Sequence, residues 1–290
     1  VTTEDLPTLA IVGVGRIGGA LLRQLTERGH HAIAIDVDDD QHALAQADVI
    51  VEAVPEDAAL KSQVIAGFRA HAPDAVVLST TSSFTTDELA PGDALLGLWH
   101  PFAPLSRRRI VEVAAPGHHD AEVLARAVQL AQATDRVWVR CAHRPGLIGN
   151  RVLKRWTHAG LSALDHGNAA SDVDNAFVSA GFAMGPVSVV SLVGPATSLA
   201  VSRSFAASLG HRFAPPESLI TAARAGHWPE PGAASLEPSP HLVDDALTAV
   251  SDEIARVLDE GVATDASDVR RVVELGLGWP TEIVERLHTW

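Results

Sequence analysis

Leu9-Ala10-Ile11-Val12-Gly13-Val14-Gly15-Arg16-Ile17-Gly18 is the stretch on which the fold of this chain turns. Four apolar residues read as a buried strand, three glycines follow at spacings of two and three, and Ala20-Leu21-Leu22 then starts a helical pattern. A second apolar run ends at Asp36, eighteen residues beyond Gly18. Each part has a physical task. Gly13 permits a tight turn, Gly15 lets backbone approach a pyrophosphate, and Gly18 lets helix and strand pack closely. Arg16 and Ile17 open the helix, whose amino end favours negative charge. A carboxylate at Asp36 accepts hydrogen bonds from a ribose hydroxyl and repels a 2′-phosphate, which predicts NAD rather than NADP.

Working outward, short apolar runs alternate with helical patterns through the first half. Strands are predicted at 9–12, 32–36, 49–54, 75–79, 94–98, 110–113 and 137–140, and helices near 17–28, 59–70 and 121–133. That alternation predicts an α/β Rossmann domain with a parallel sheet. From about Pro145 the apolar residues recur at helical spacing, so an all-α C-terminal domain should follow. The proline- and glycine-rich stretch 227–240 reads as a linker. The expected division is a cofactor domain at 1–145, a helical substrate and dimerisation domain at 146–241, and a partial second helical repeat at 242–290 packed on it. The repeat is read from an internal echo: the order of features in 164–186, Leu-Asp-His-Gly and later Gly-x-x-x-Gly-Pro, returns in degraded form in 258–280. Asp38, Asp39 and Asp40 read as solvated residues at a helix start.

Composition excludes several classes. The formal net charge of −14 argues against a nucleic-acid partner and against an anionic membrane surface. No segment has a signal peptide's pattern or the apolar length of a membrane span, and the single cysteine, Cys141, forbids an intramolecular disulfide. A cytoplasmic protein without a bound metal is expected. The basic residues are nearly all arginine, with Lys61 and Lys154 the only lysines.

Polar residues stand at the ends of apolar strands, where open α/β sheets place their chemistry. They lie in Ser79-Thr80-Thr81-Ser82-Ser83-Phe84, in Gly97-Leu98-Trp99-His100-Pro101-Phe102, and in Ile110-Val111-Glu112-Val113. Pro145-Gly146-Leu147-Ile148-Gly149-Asn150-Arg151 opens the helical half, and Val51-Glu52-Ala53-Val54-Pro55-Glu56-Asp57 with Lys61 follows the third strand. The set resembles the 3-hydroxyacyl-CoA dehydrogenase family from Leu9 to about Gly194. The resemblance implies His100 as general base, Glu112 twelve residues on as its orienting partner, and Ser82 and Asn150 as hydrogen-bond donors to the substrate oxygens. It also implies that Val54, Pro55, Glu56, Lys61 and Ser82 border the cofactor, with Glu56 and Lys61 near its nicotinamide end. The residue types suit the reaction: hydride leaves a secondary alcohol more readily when a base takes the hydroxyl proton, and histidine's ordinary pKa of ~6.5 fits that role. A glutamate on the other ring nitrogen fixes the tautomer and stabilises the imidazolium.

The departures from the family bear on substrate. Only eleven residues separate Asp36 from Asp48, room for one short helix around 41–46 but none for the family's helical arm, which helps to hold CoA. The asparagine of the family's His-Phe-Phe-Asn-Pro motif is Ala103, and its lysine-rich segment has no counterpart around 226–230. The expected substrate is therefore a small 3-hydroxyacyl compound presented as a free acid or a carrier-protein thioester. Arg107, Arg108 and Arg109 are the candidate contact for an acyl carrier protein, although a solvated basic turn is the simpler reading. Arg144 is a candidate partner for a substrate carboxylate or an ordinary surface residue. A homodimer is the expected assembly. Two alternatives stand beside this reading: a prephenate-dehydrogenase-like enzyme, and a catalytically inactive NAD-binding regulatory protein.

Overall fold

The computed structural model describes residues 7–36, 41–115, 120–229 and 239–287. The acidic run 38–40 and most of the 227–240 linker lie outside them. The chain divides into two compact units, residues 1–147 and 148–290.

In the first unit, β1 (Leu9–Val12), α1 (Arg16–Glu27), β2 (Ala32–Ile35), β3 (Val49–Glu52), α2 (Ala58–His71) and β4 (Val76–Ser79) follow one another. Then come α3 (Thr86–Leu89), β5 (Leu96–Pro101), β6 (Ile110–Ala114), α4 (Asp120–Ala133) and β7 (Val137–Arg140). A single 3₁₀ turn, Gln41–Gln46, occupies the described part of the β2–β3 connection. The seven strands lie in the order β2-β1-β3-β4-β5-β6-β7. Side chains alternate between faces: Leu9, Ile11, Val49, Val51, Val76 and Leu78 enter one apolar core, while Ala10, Val12, Ile50 and Val77 enter the other. Both faces are covered, so the strands read as continuous apolar runs.

The sheet is the expected parallel one except at a single ladder. β5 and β6 pair antiparallel, whereas β1–β2, β1–β3, β3–β4, β4–β5 and β6–β7 are parallel. The physical reason is the connection: residues 102–109 are too few for the crossover that parallel neighbours require. β5 also runs on through His100 to Pro101, where the sequence suggested an end at residue 98, because β6 continues the ladder that far.

The second unit is helical: α5 (Gly149–Asp165), α6 (Ala170–Ser179), α7 (Pro186–Val193), α8 (Pro195–Leu209), α9 (Glu217–Ala225), α10 (Leu242–Asp259), α11 (Ala266–Arg271) and α12 (Thr281–Val284). No single helix among the described residues is long and apolar enough to cross a membrane. α5 packs against α10, α7 and α9. α10 presents Leu247, Val250, Ile254 and Val257 at helical spacing, and all four are buried. Trp156 of α5 stacks in a cluster with Phe177, Phe182 and Trp279. The fully buried Arg151 donates from Nε to Glu253 Oε1 at 2.6 Å and from Nη1 to Glu260 Oε2 at 2.7 Å, and Arg212 Nε reaches Glu253 Oε2 at 2.6 Å.

The two echoing stretches are alike in geometry only at their start. α5 leaves through Gly167 (φ 90°) into α6, and α10 leaves through Gly261 (φ 65°) into α11. Beyond that they differ: Gly181 has φ 110° where Gly276 lies in a π-helical turn, and Gly185 has φ −83° where Gly278 has φ 74°. Ending the chain after Pro240 would remove Glu253, Trp279 and the apolar face of α10 together. The expected result is loss of the helical unit's cooperative melting transition by circular dichroism; an unchanged melting point would show that the tail is dispensable.

Candidate active site

At the carboxyl end of β1, Gly13 has φ 89°, and a Cβ there would meet the Ala53 carbonyl oxygen at 2.7 Å. A Cβ on Gly18 would lie 2.0 Å from the Gly13 carbonyl oxygen and 3.1 Å from Ile11 Cγ2. These two glycines are demanded by the protein's own packing. Gly15 is different: a Cβ there would enter open space, at the N-cap of α1, and no side chain caps that helix. A missing side chain beside uncapped N–H donors is what a pyrophosphate requires, so these residues fit a dinucleotide. Arg16 is exposed, Ile17 packs against the core, and Asp36 stands exposed just past β2.

The ends of β3 and β4 carry a buried ionic group. Glu52, fully buried, accepts from Lys61 Nζ at 2.9 and 3.0 Å, from Ser79 Oγ at 2.5 Å and from the Val54 backbone N–H at 2.7 Å. Lys61 is equally enclosed and lies 3.4 Å from Glu56 Oε2. Glu56 in turn accepts from Thr81 Oγ1 at 2.6 Å and from the backbone N–H groups of Ser82 and Ser83 at 3.3 and 3.2 Å. Partial burial works against the Glu56 charge, but Lys61 and the hydrogen bonds from Thr81 and Ser83 outweigh it and hold the carboxyl below its ordinary range. The loop bearing Ser82 is thus pinned by Glu56. From the other side, Gly146 N–H donates to the Ser82 carbonyl at 3.0 Å, so the Pro145–Gly146 turn abuts the same loop. Val54 is buried and Pro55 exposed beside this group.

His100 and Glu112 come together through the antiparallel ladder, in which they are directly opposed. His100 Nδ1 and Glu112 Oε2 are 2.7 Å apart. The carboxylate is fully buried, whereas the histidine side chain keeps 12% of its surface. With Nδ1–H donating to Glu112, the neutral ring presents Nε2 as a proton acceptor. The ring also packs edge-on against Phe102, centroids 5.0 Å apart. Cys141 Sγ lies 3.9 Å from the other Glu112 oxygen, within reach of a weak thiol hydrogen bond. Asn150 is half-buried in the first turn of α5, in the helical unit.

Sequence reasoning missed Glu52, Ser79 and Thr81 as parts of the site. A signal was present: a glutamate closing an otherwise apolar strand must find a cation, and Lys61 is one of two lysines in the chain. Lys61 itself is turned toward Glu52 and the Val54 carbonyl, with Glu56 3.4 Å away, so its charge is neutralised inside this group.

Residues 25–144 match the family model for the NAD-binding domain of 3-hydroxyacyl-CoA dehydrogenase, and residues 146–234 match that for its C-terminal domain. Among solved structures, 3-hydroxybutyryl-CoA dehydrogenase from Escherichia coli K12 superposes with a TM-score of 0.78 at 18% identity, covering 95% of this chain and 90% of that one. (S)-3-Hydroxybutyryl-CoA dehydrogenase PaaH1 from Ralstonia eutropha gives 0.71 at 17% identity, over 77% and 95% of the two chains. An NAD-dependent dismutase, 5-formyl-3-hydroxy-2-methylpyridine 4-carboxylic acid 5-dehydrogenase, gives 0.60 at 19%, over 88% and 99%. These likenesses concern the fold; the two consecutive family matches, which together span well over half the chain, decide the kinship. The chain belongs to the 3-hydroxyacyl-CoA dehydrogenase family of NAD-dependent oxidoreductases acting on CH–OH groups.

Proposed function

We propose that this protein interconverts a small 3-hydroxy acid and its 3-oxo form, with His100 as general base. The observation that carries this reading is the 2.7 Å contact between His100 and the buried Glu112. NAD, when bound, supplies the hydride acceptor. His100 Nε2 takes the hydroxyl proton as the C3–H bond breaks, and Glu112 stabilises the resulting imidazolium. Ser82 and Asn150 are the residues proposed to hold the substrate oxygens, and the Glu56 contacts support Ser82 by fixing its loop.

Two features favour the free acid over CoA or a carrier thioester. The described part of the β2–β3 connection holds one 3₁₀ turn where the family's arm would stand. In the 107–109 run, Arg109 already pairs with Asp135, which reduces the charge on offer to an acidic carrier. The superposable pyridine-carboxylic-acid dehydrogenase shows that a protein of this fold can act on a free acid. The test is NADH production from 3-hydroxybutyrate, its CoA thioester and its carrier-protein thioester; preference for the CoA thioester would refute the free-acid assignment, and turnover of none would favour a cofactor-binding regulator.

Cofactor choice follows from Asp36. Fluorescence titration should show NADH binding more tightly than NADPH, because the carboxylate repels the added phosphate. Equal affinities would remove Asp36 from the site. A homodimer remains the proposed assembly, and Val178, Met184, Leu192 and Val193 of the helical unit are exposed apolar residues that it would bury. A monomer's mass by light scattering would end that part of the reading.

A further inference from the structure

The loop bearing Ser82 runs from the end of β4 into α3, and two of its buried hydroxyls do nothing to hold it. Ser83 Oγ and Thr86 Oγ1 are enclosed and, among the described residues, have no hydrogen-bond partner. Thr81 Oγ1 gathers the Ser83 and Phe84 N–H groups within the loop, but attachment to the rest of the cofactor unit depends on bonds from outside. Glu56 supplies them on one side, through the Ser82 and Ser83 N–H groups. The segment after β7 supplies them on the other. Gly146 N–H donates to the Ser82 carbonyl at 3.0 Å, and Thr86 N–H donates to His143 Nε2 at 2.7 Å.

The bond to His143 exists in only one protonation state. Thr86 opens α3, where a backbone N–H has no partner within the helix, and the capping box of Thr85 and Glu88 uses other groups. An imidazole nitrogen accepts only while it carries no proton, so the ring is neutral with its proton on Nδ1. Burial pushes His143 below its ordinary range; Asp87 and Glu88, exposed on α3, pull the other way without cancelling it, and the adjacent Arg144 adds to the fall. The folded protein thus disfavours the proton. The bond is present at neutral pH and above and is lost as pH falls through the ring's titration, when Nε2 becomes a donor facing a donor. Glu56 does not release the loop over the same range, because its own carboxyl is held below the ordinary range and stays ionised.

We propose that His143 is a positioning residue: its neutral ring fixes the loop that carries Ser82, and its protonation releases that loop. The consequence for substrate rests on the reading above in which Ser82 holds a substrate oxygen.

The test follows the Thr86 amide and the His143 ring nitrogens by heteronuclear NMR as the whole protein is acidified from neutral pH. Relative to its intrinsic exchange rate, the amide should be protected by about tenfold or more while the ring is neutral, and the protection should vanish along the ring's own titration curve. His143→Gln offers a carboxamide oxygen that does not titrate, so it should keep the protection through that range, and His143→Ala should lack it throughout. With 3-hydroxybutyrate, the native KM should rise on acidification by about three- to tenfold more than that of His143→Gln, whereas kcat should fall alike in both because it follows His100. Thr86 protection that ignores the ring's titration, or equal acid sensitivity of the loop in His143→Gln, would overturn the proposal, and the native titration decides this even where a variant fails to fold. A released loop with an unmoved KM would overturn the role given to Ser82, not that of His143. Exchange is read without substrate, so a loop released with the ring in a protein that oxidises no hydroxy acid would sink the function proposed above and leave this proposal standing.

Discussion

Replacing His100 with alanine is expected to abolish nearly all turnover while leaving NAD affinity intact. The imidazole is the proposed proton acceptor for the reacting hydroxyl, and the fully buried Glu112 holds it by Nδ1. The proposed dinucleotide turn at Gly13–Gly18 belongs to a different strand end, so cofactor binding should not depend on the ring. Glu112→Gln keeps the shape but loses the charge that fixes the tautomer, and a loss of ~10²–10⁴-fold in kcat is expected. Steady-state kinetics beside NADH fluorescence titration would check both. Near-native turnover in His100→Ala would show that the base is another group.

The second large effect is structural. Glu253→Ala should cost ~3–5 kcal/mol, because it strips Arg151 of a partner inside the helical unit and frees Arg212 as well. At roughly 2–4 °C per kcal/mol, the melting temperature should fall by about 6–20 °C. Glu260 offsets part of the loss, since it still reaches Arg151 Nη1, and this places the expected fall toward the lower end. Replacing the set together (Arg151→Met with Glu253→Leu) should recover much of the stability, because an apolar pair of similar volume avoids the desolvation that the ion pair must offset. A fall of less than about 2 °C in Glu253→Ala would mean that water or a neighbouring acid compensates Arg151.

Much of this architecture was legible because its signals are local. β1 and β7 occur at the expected residues, and the alternation of Leu9 and Ile11 against Ala10 and Val12 is the period of two that a strand buried on both faces must have. Strand direction is not local. Nothing in Ile110–Ala114 says which way it runs; only the shortness of the 102–109 connection does. The same ladder brings His100 against Glu112, a pairing that the resemblance implied and the register explains. Glu52 and Thr81 escaped notice because a buried polar residue reveals its role only through its partner, and those partners stand 9 and 25 residues away in sequence. Lys154 was conspicuous only by rarity; that its partners are a serine carbonyl and hydroxyl on α8 is a fact of helix packing.

The most direct measurement follows the hydride itself. 3-Hydroxybutyrate carrying deuterium at C3 would be incubated with the protein and NAD, and the reduced nicotinamide examined by mass spectrometry. Transfer of the label is expected in the native protein and its loss in His100→Ala, with NAD bound in both. Equal label transfer in the two proteins, or bound NAD that never acquires the label from the free acid or either thioester, would contradict it.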